Sequence, residues 1–373
     1  MANLFANLFQ NPSALWQKKD GRVIGLDLGH STVKAVQLRS EKGRAILETY
    51  GEIAVGPYGQ LAVGQVANLA SDKMVELIHD LFREANLTAT SVSLSIPLRS
   101  SLLLIIDLPN LSRSQLDKVI PIEARKYIPV PISEVELDWW VIPALGGDSA
   151  TAPDDGGVKK TEVLLAAIHK EVITQYTEQM KKLELTPAFF EIETFSAIRS
   201  IFGGERGATV ILDLGAATTK LAIVDYGVVR LSHTISKGAQ DITLAISRSL
   251  GVEFAKAEEI KRSVGLVERY EGQSMTNLVG AIIEYIFAEV HKVVTIYETR
   301  HRRSIEKVIL IGGGSLLKGL FELAGQSFEV PVTLGQPFGK VEYPAFLNNV
   351  LAKTGPGFAV ALGLALRQLE NQG

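Results

Sequence analysis

The chain carries one short phrase twice. An apolar strand, Asp-Leu-Gly, small or hydroxyl residues and a lysine run from Val23 through Asp27 and Gly29 to Lys34. They return from Val210 through Asp213 and Gly215 to Lys220. Asp27 and Asp213 lie about half a chain apart in 373 residues. Repetition at that distance predicts two domains of one fold facing each other. The length allows two such domains with an insertion.

The residue types within the phrase have a shared chemical logic. Gly29 and Gly215 stand where a strand–turn–strand must bend sharply or let a ligand close to the backbone. Successive N–H groups in such a turn form a nest for phosphate oxygens. Ser31, Thr32, Thr218 and Thr219 add hydroxyl donors, and His30, Ala216 and Ala217 complete the two loops. Asp27 and Asp213 repel phosphate, so their place in such loops calls for a hydrated Mg²⁺ between them. Lys34 and Lys220 are placed either to reach phosphate or to sit solvated at strand ends. A third element, Ile311-Gly312-Gly313-Gly314-Ser315, ends a buried strand and opens a helix, a place where a flat ring can approach the backbone.

Composition removes other classes. The net charge of −3 offers no basic footprint for nucleic acid. With no cysteine, thiolate metal sites and cysteine nucleophiles are excluded. No stretch reads as the run of about 18 apolar residues that a spanning helix needs, and the start lacks the pattern of a signal peptide. The expectation is a cytoplasmic protein.

Along the chain, residues 1–20 form a separate N-terminal segment. Leu4, Phe5, Leu8, Phe9 and Leu15 recur at helical spacing, which suits either a weak amphipathic contact with a membrane or partner, or a flexible or docked tail. Residues 21–97 read β-β-β-α-β and begin the first domain. Residues 98–160 break that rhythm with a strand, a helix over 112–128 bearing Pro121, a strand holding Trp139 and Trp140, and a Gly/Asp-rich tip at 146–160. They are read as an inserted small domain, with 161–200 returning to the first domain. Residues 201–373 repeat the β-β-β-α pattern as the second domain, with Gly238 closing its third strand.

At these residues the chain resembles the actin-like ATPase superfamily of actin, heat-shock chaperones and sugar kinases. The resemblance implies an α/β fold: two duplicated ribonuclease-H-like domains around a nucleotide cleft that takes ATP and Mg²⁺. Leu26–Thr32 is similar to the first phosphate motif, Leu212–Thr219 to the second and Ile311–Ser315 to the adenosine motif. It implies cofactor contacts from Gly29, His30, Ser31, Thr32, Lys34, Gly215, Ala216, Ala217, Thr218, Thr219, Lys220, Gly238, Gly312, Gly313, Gly314 and Ser315, with metal held by Asp27 and Asp213. Ala255–Lys261 resembles the helix that holds ribose and base, through Glu258 and Lys261. Glu191–Ala197 and Phe358–Leu366 resemble the two connecting helices. The residue beside the attacking water is Glu191 or Glu193, and Glu193 aligns better with the family pattern.

The inserted segment narrows the family. Glu123–Trp139, reading EARKYIPVPISEVELDW, resembles the type IV pilus assembly family PilM, relatives of the cell-division protein FtsA. That resemblance implies an FtsA-like inserted subdomain and a cytoplasmic ATP-binding adaptor recruited to the inner membrane, with slow or absent hydrolysis. It implies binding to the cytoplasmic N-terminal peptide of a PilN-like inner-membrane protein, and contact with other pilus motor and platform proteins. Membrane contact is then indirect, or weak through residues 1–20. Arg125, Lys126 and Tyr127 suit either partner contact or a basic helix end. The alternative is an FtsA- or actin-like filament former.

Overall fold

The structure, a computed structural model, describes residues 21–143, 160–267 and 269–371. The N-terminal segment 1–20 and most of the Gly/Asp-rich tip lie outside these. The first half opens with β1 (Arg22–Leu28), β2 (Thr32–Glu41), β3 (Arg44–Ala54), α1 (Ser71–Glu84) and β4 (Ser91–Ile96). Next come β5 (Ser101–Pro109), α2 (Arg113–Ala124), β6 (Val135–Val141) and β7 (Lys160–His169), and then α3 (Lys170–Lys182), β8 (Thr186–Ile192) and α4 (Glu193–Ile201). The second half runs β9 (Ala208–Leu214), β10 (Thr219–Asp225), β11 (Val228–Ile235), α5 (Ala239–Leu250) and α6 (Phe254–Val264). A two-residue-strand hairpin, β12 (Arg269–Tyr270) and β13 (Gln273–Ser274), leads to α7 (Met275–His301), β14 (Ile305–Ile311), α8 (Leu320–Ser327), β15 (Val332–Leu334), α9 (Asn348–Thr354) and α10 (Ala359–Glu370).

The duplication read from the phrase is present in the topology. One five-stranded sheet has the order β3-β2-β1-β4-β8 and the other β11-β10-β9-β14-β15. In each, an antiparallel three-strand meander meets two parallel strands across its first strand. Strands buried on both faces need near-continuous apolar sequence, and Val23, Ile24, Leu26, Val210 and Leu212 are fully buried.

Two segments sit elsewhere than the sequence reading assigns them. β7 does not return to the first sheet; it is the middle strand of a three-stranded antiparallel sheet, β5-β7-β6. Its alternate residues serve two cores. Val163, Leu165 and Ala167 face Leu116, Ile120 and Ala124 of α2, while Leu164, Ala166 and Ile168 join the main core. A strand covered on both sides shows no alternation. The second segment is α10, which belongs to the second half by sequence but docks on the first sheet. Its Ala361, Leu362, Ala365 and Leu366 pack with Val23, Val36 and Leu38.

Glycine makes the α10 contact possible. A Cβ at Gly25 would lie 1.9 Å from the Ala361 carbonyl oxygen, and one at Gly363 would lie 1.8 Å from that of Ser196 in α4. The helix is thus wedged backbone-close between β1 and α4. The run Ala345–Glu370 passes for a membrane span by length and composition, contrary to the reading from sequence, with a mean hydropathy of 1.3. Two thirds of its apolar window, 67%, is buried inside the protein, which is the environment of a core helix.

Smaller points also differ. α2 starts from a capping box, in which Ser112 N–H donates to Gln115 Oε1 at 2.9 Å. It runs through Pro121 and ends at Ala124, so Arg125, Lys126 and Tyr127 form an exposed turn beyond it. Trp139 packs into the small-sheet core under Arg113, whose guanidinium lies 4.2 Å from its ring. Trp140 packs against the main core.

Candidate functional site

Both copies of the repeated phrase form the same hairpin end. Asp27 sits directly across from Lys34 on β2, and Asp213 directly across from Lys220 on β10. The turns that follow the aspartates are tight. A Cβ on Gly29 would lie 2.5 Å from the Thr32 carbonyl oxygen, and one on Gly215 would lie 2.8 Å from that of Thr218. Gly215 N–H donates to the Thr218 carbonyl at 3.1 Å.

A cavity of about 450 Å³ lies between the two sheets, and both turns line it. Asp27, Gly29, His30, Ser31, Thr32 and Lys34 form one wall, and Asp213, Gly215, Ala216, Ala217, Thr218 and Lys220 the other. Gly312, Gly313 and Gly314 close one side, while Glu258 and Lys261 stand at another. Gly312 has a φ of +83°, and a Cβ there would meet Asp213 Oδ1 at 2.3 Å. The volume and the backbone-lined walls suit a small organic ligand.

Three of the expected residues are not on the wall. Thr219 Oγ1 donates to the Lys237 carbonyl at 2.8 Å, and Ser315 Oγ to the Gly312 carbonyl at 2.7 Å. Gly238 caps α5, with its N–H donating to Asp241 Oδ2 at 3.0 Å. These residues shape the loops from behind.

The two glutamates differ in their surroundings. Glu191 is sealed between Arg199 and Arg367, with Nη–Oε distances of 2.7 Å to each, and it also accepts from Ser196. Burial alone would raise its carboxyl, but the two guanidiniums outweigh that and hold it at about 2. Glu193 instead lines the cavity. Its Oε1 accepts from the Leu98 N–H at 2.7 Å, and its Oε2 accepts from Lys220 Nζ at 2.8 Å. Lys220 also reaches Asp213 Oδ2 at 3.4 Å.

The site is electrostatically tense. Burial pushes the Asp27 carboxyl up to about 6, with Glu193 adding to the rise against Lys34, Ser95 and Lys220. Ser95 Oγ donates to Asp27 Oδ1 at 2.8 Å. Burial, then Arg99 and Lys220, push His30 down to about 4, so its ring is neutral at pH 7. Burial disfavours the Lys220 charge, yet Glu193 and Asp213 outweigh it and raise its ammonium above the ordinary value. At the far wall, Glu258 Oε2 accepts from Lys261 Nζ at 2.7 Å and from Thr243 Oγ1 at 2.6 Å. There too burial would raise the carboxyl, but Lys261, Thr243 and Arg262 hold it below the usual range.

The model of the family described as type IV pilus assembly protein PilM matches residues 25–369. The chain belongs to this family. A solved structure titled as the PilM–PilN type IV pilus biogenesis complex is similar over 93% of this chain and 98% of that one, with a TM-score of 0.77 and 25% identity. Cell-division protein FtsA of Pseudomonas aeruginosa is 27% identical over 167 residues, which is 39% of this chain and 40% of that protein. FtsA of Streptococcus pneumoniae is 28% identical over 186 residues, 43% of this chain and 39% of that protein. The match thus spans about two fifths of the length of these curated relatives. MreB 5 of Spiroplasma citri bound to AMPPNP shares the fold at 13% identity, with a TM-score of 0.52 over 95% of this chain and 100% of that one. The architecture is therefore the actin-like one, in its PilM and FtsA-like branch.

This PilM-family cavity has lining residues that the motifs did not flag. Gly64, at φ +85°, lets its loop pass Glu258 so closely that a Cβ would lie 2.6 Å from the carboxyl carbon. Gly357 lies beside Lys34 and Gly313, and Gly312 N–H donates to the Pro356 carbonyl at 2.9 Å. Glu52, 3.7 Å from Lys34 Nζ, and Arg262, bonded to Glu258 at 2.7 Å, also reach the wall. Isolated glycines and surface charges outside a motif carry no signal; Gly-Pro-Gly at 355–357 was the one visible cue.

Proposed function

We propose that this chain is an ATP-binding adaptor of type IV pilus assembly. In this reading it sits on the cytoplasmic side of the inner membrane and engages the cytoplasmic N-terminal peptide of a PilN-like membrane protein. The observation that carries the nucleotide part is the convergence of both repeated turns and the glycine triplet on one cavity. At Gly29, Gly215, Gly312 and Gly314 a Cβ would collide with neighbouring atoms, so bare backbone lines the wall there, as phosphate and base contacts to backbone require.

Within that reading each residue has a role. Backbone N–H groups of the 29–32 and 215–218 turns cradle the phosphates, with Lys34 and the hydroxyls of Ser31, Thr32 and Thr218 beside them. Glu258 and Lys261 face the sugar and base. Asp27 and Asp213 suit magnesium: both are carboxylates on the wall, one from each repeat. The metal supplies charge neutralisation of the phosphates. Glu193 is placed to orient a water, and its engagement by both Lys220 and Leu98 N–H fits slow turnover or none. The similarity to the solved PilM–PilN complex supports the partner assignment.

Mixing the purified full chain with a PilN N-terminal peptide, with and without ATP and Mg²⁺, tests the adaptor reading. Nucleotide-dependent peptide affinity is expected. Peptide binding in no nucleotide condition would remove the adaptor role.

A further inference from the structure

The two repeats match in backbone and differ in charge. Lys34 donates to Thr32 Oγ1 at 2.6 Å and lies 3.7 Å from Glu52. Lys220, its counterpart, spans Glu193 at 2.8 Å and Asp213 at 3.4 Å, with only 19% of its side chain exposed. Its two partners are the cavity-wall carboxylates of α4 and β9. We propose that Lys220 is the resident counter-ion of the cleft, holding Asp213 and Glu193 and making divalent-cation binding depend on phosphate.

The proposal rests on the metal–nucleotide reading of the cavity. Asp27, Asp213 and Glu193 would bring three carboxylates together in a poorly solvated space, which is unfavourable unless a cation sits among them. Lys34 sits across from Asp27, and Lys220 is the cation that contacts Asp213 and Glu193. The geometry makes its grip unequal. Glu193 is fixed from behind by the Leu98 N–H, and its bond to Lys220 is the shorter one. Asp213 is held more loosely, so Lys220 can leave Asp213 while Glu193 keeps it in the cleft. A flexible four-carbon stem allows such a swing.

Thermodynamic coupling follows. Before Asp213 can take a divalent cation, Lys220 must give it up, and an ammonium withdrawn from a carboxylate in a buried site needs a new anion. Phosphate oxygens supply one. Metal alone is therefore opposed by Lys220, whereas metal and phosphate together are not. Each strengthens the other, by the same factor in both directions.

The test uses Mn²⁺ as probe, titrated into the full chain by calorimetry and followed by electron paramagnetic resonance, without nucleotide and then with a non-hydrolysable ATP analogue. Lys220→Met should bind Mn²⁺ alone at least about tenfold more tightly than the unaltered chain. The strengthening by nucleotide should shrink correspondingly. Lys220→Met combined with Glu193→Gln removes one charge of each sign, and keeps the test available if the single variant fails to fold. Unchanged or weaker Mn²⁺ binding in the folded variants would overturn the counter-ion role, even with nucleotide binding intact. Tighter Mn²⁺ binding in a protein that binds no nucleotide would leave the counter-ion role standing and remove the nucleotide reading instead.

Discussion

The amide of Leu98 donates to Glu193 Oε1 at 2.7 Å. Leu98 directly follows Pro97 on the cavity wall and lies three positions before the start of β5, so this bond ties the start of the inserted segment to a carboxylate of the cleft. Glu193→Ala removes the acceptor and leaves a partly buried N–H unpaired, at about 1–3 kcal/mol. Amide exchange at Leu98 should speed up about tenfold or more in that variant, and the melting temperature should fall. Glu193→Gln keeps an acceptor and should preserve the protection. Equal exchange in all three proteins would show that the bond does not restrain the segment.

Asp27 should trade stability for its place in the cleft. Its carboxyl is raised from 3.8 to about 6, chiefly by burial. A raised acid favours folding when protonated, so stability declines as pH rises through that interval. Asp27→Asn keeps an oxygen for Ser95 and removes the buried charge. In chelator-treated protein it should be more stable than the unaltered chain at pH 8 by about 1–3 kcal/mol, with the gap closing by pH 4. Denaturant titrations at the two pH values measure this. A less stable variant at pH 8 would contradict it.

Glu191 should behave in the opposite sense. Its carboxyl is depressed from 4.5 to about 2: burial opposes the charge, but Arg199 and Arg367 outweigh that. Its contribution is present above pH 4.5 and is lost as pH falls towards 2, and amounts to about 3 kcal/mol. Glu191→Gln leaves two guanidiniums without their buried partner and should destabilise by about 3–5 kcal/mol at pH 7. Its acid-limb slope should also flatten. Thermal melts across pH 2 to 7 test both.

Gly312→Ala should damage the cleft without removing any charged group. The position has a φ of +83°, and a Cβ there meets Asp213 Oδ1 at 2.3 Å and the Leu214 carbonyl oxygen at 2.6 Å. The backbone must shift, at about 1–3 kcal/mol. Weaker nucleotide binding is expected even where the variant folds. Affinity equal to that of the unaltered chain would mean that the triplet does not abut the ligand.

What could be read from sequence divides along physical lines. The hairpins bearing Asp27 and Asp213 were legible because turn chemistry and buried-strand composition are local. The same holds for the glycine triplet and for α1, whose apolar residues keep helical spacing. The docking of α10 on the first sheet was not legible. Nearly all its residues are buried, so it has no single apolar face to aim. The middle position of β7 was hidden for a related reason: both its faces are covered. The family pattern already favours Glu193 over Glu191; the pairing of Glu191 with Arg367, 176 positions away, was hidden because no motif connects the two. Thr219, Gly238 and Ser315 belonged to the right loops but point their bonds away from the cavity.

The central claim is a magnesium–nucleotide clamp built from the two repeats, and a direct calorimetric titration of ATP tests it most closely. The full chain should bind ATP with Mg²⁺ and much more weakly with chelator present. The double variant Asp27→Ala with Asp213→Ala should lose that magnesium dependence. Binding that ignores magnesium, or that survives unchanged in the double variant, would contradict the account.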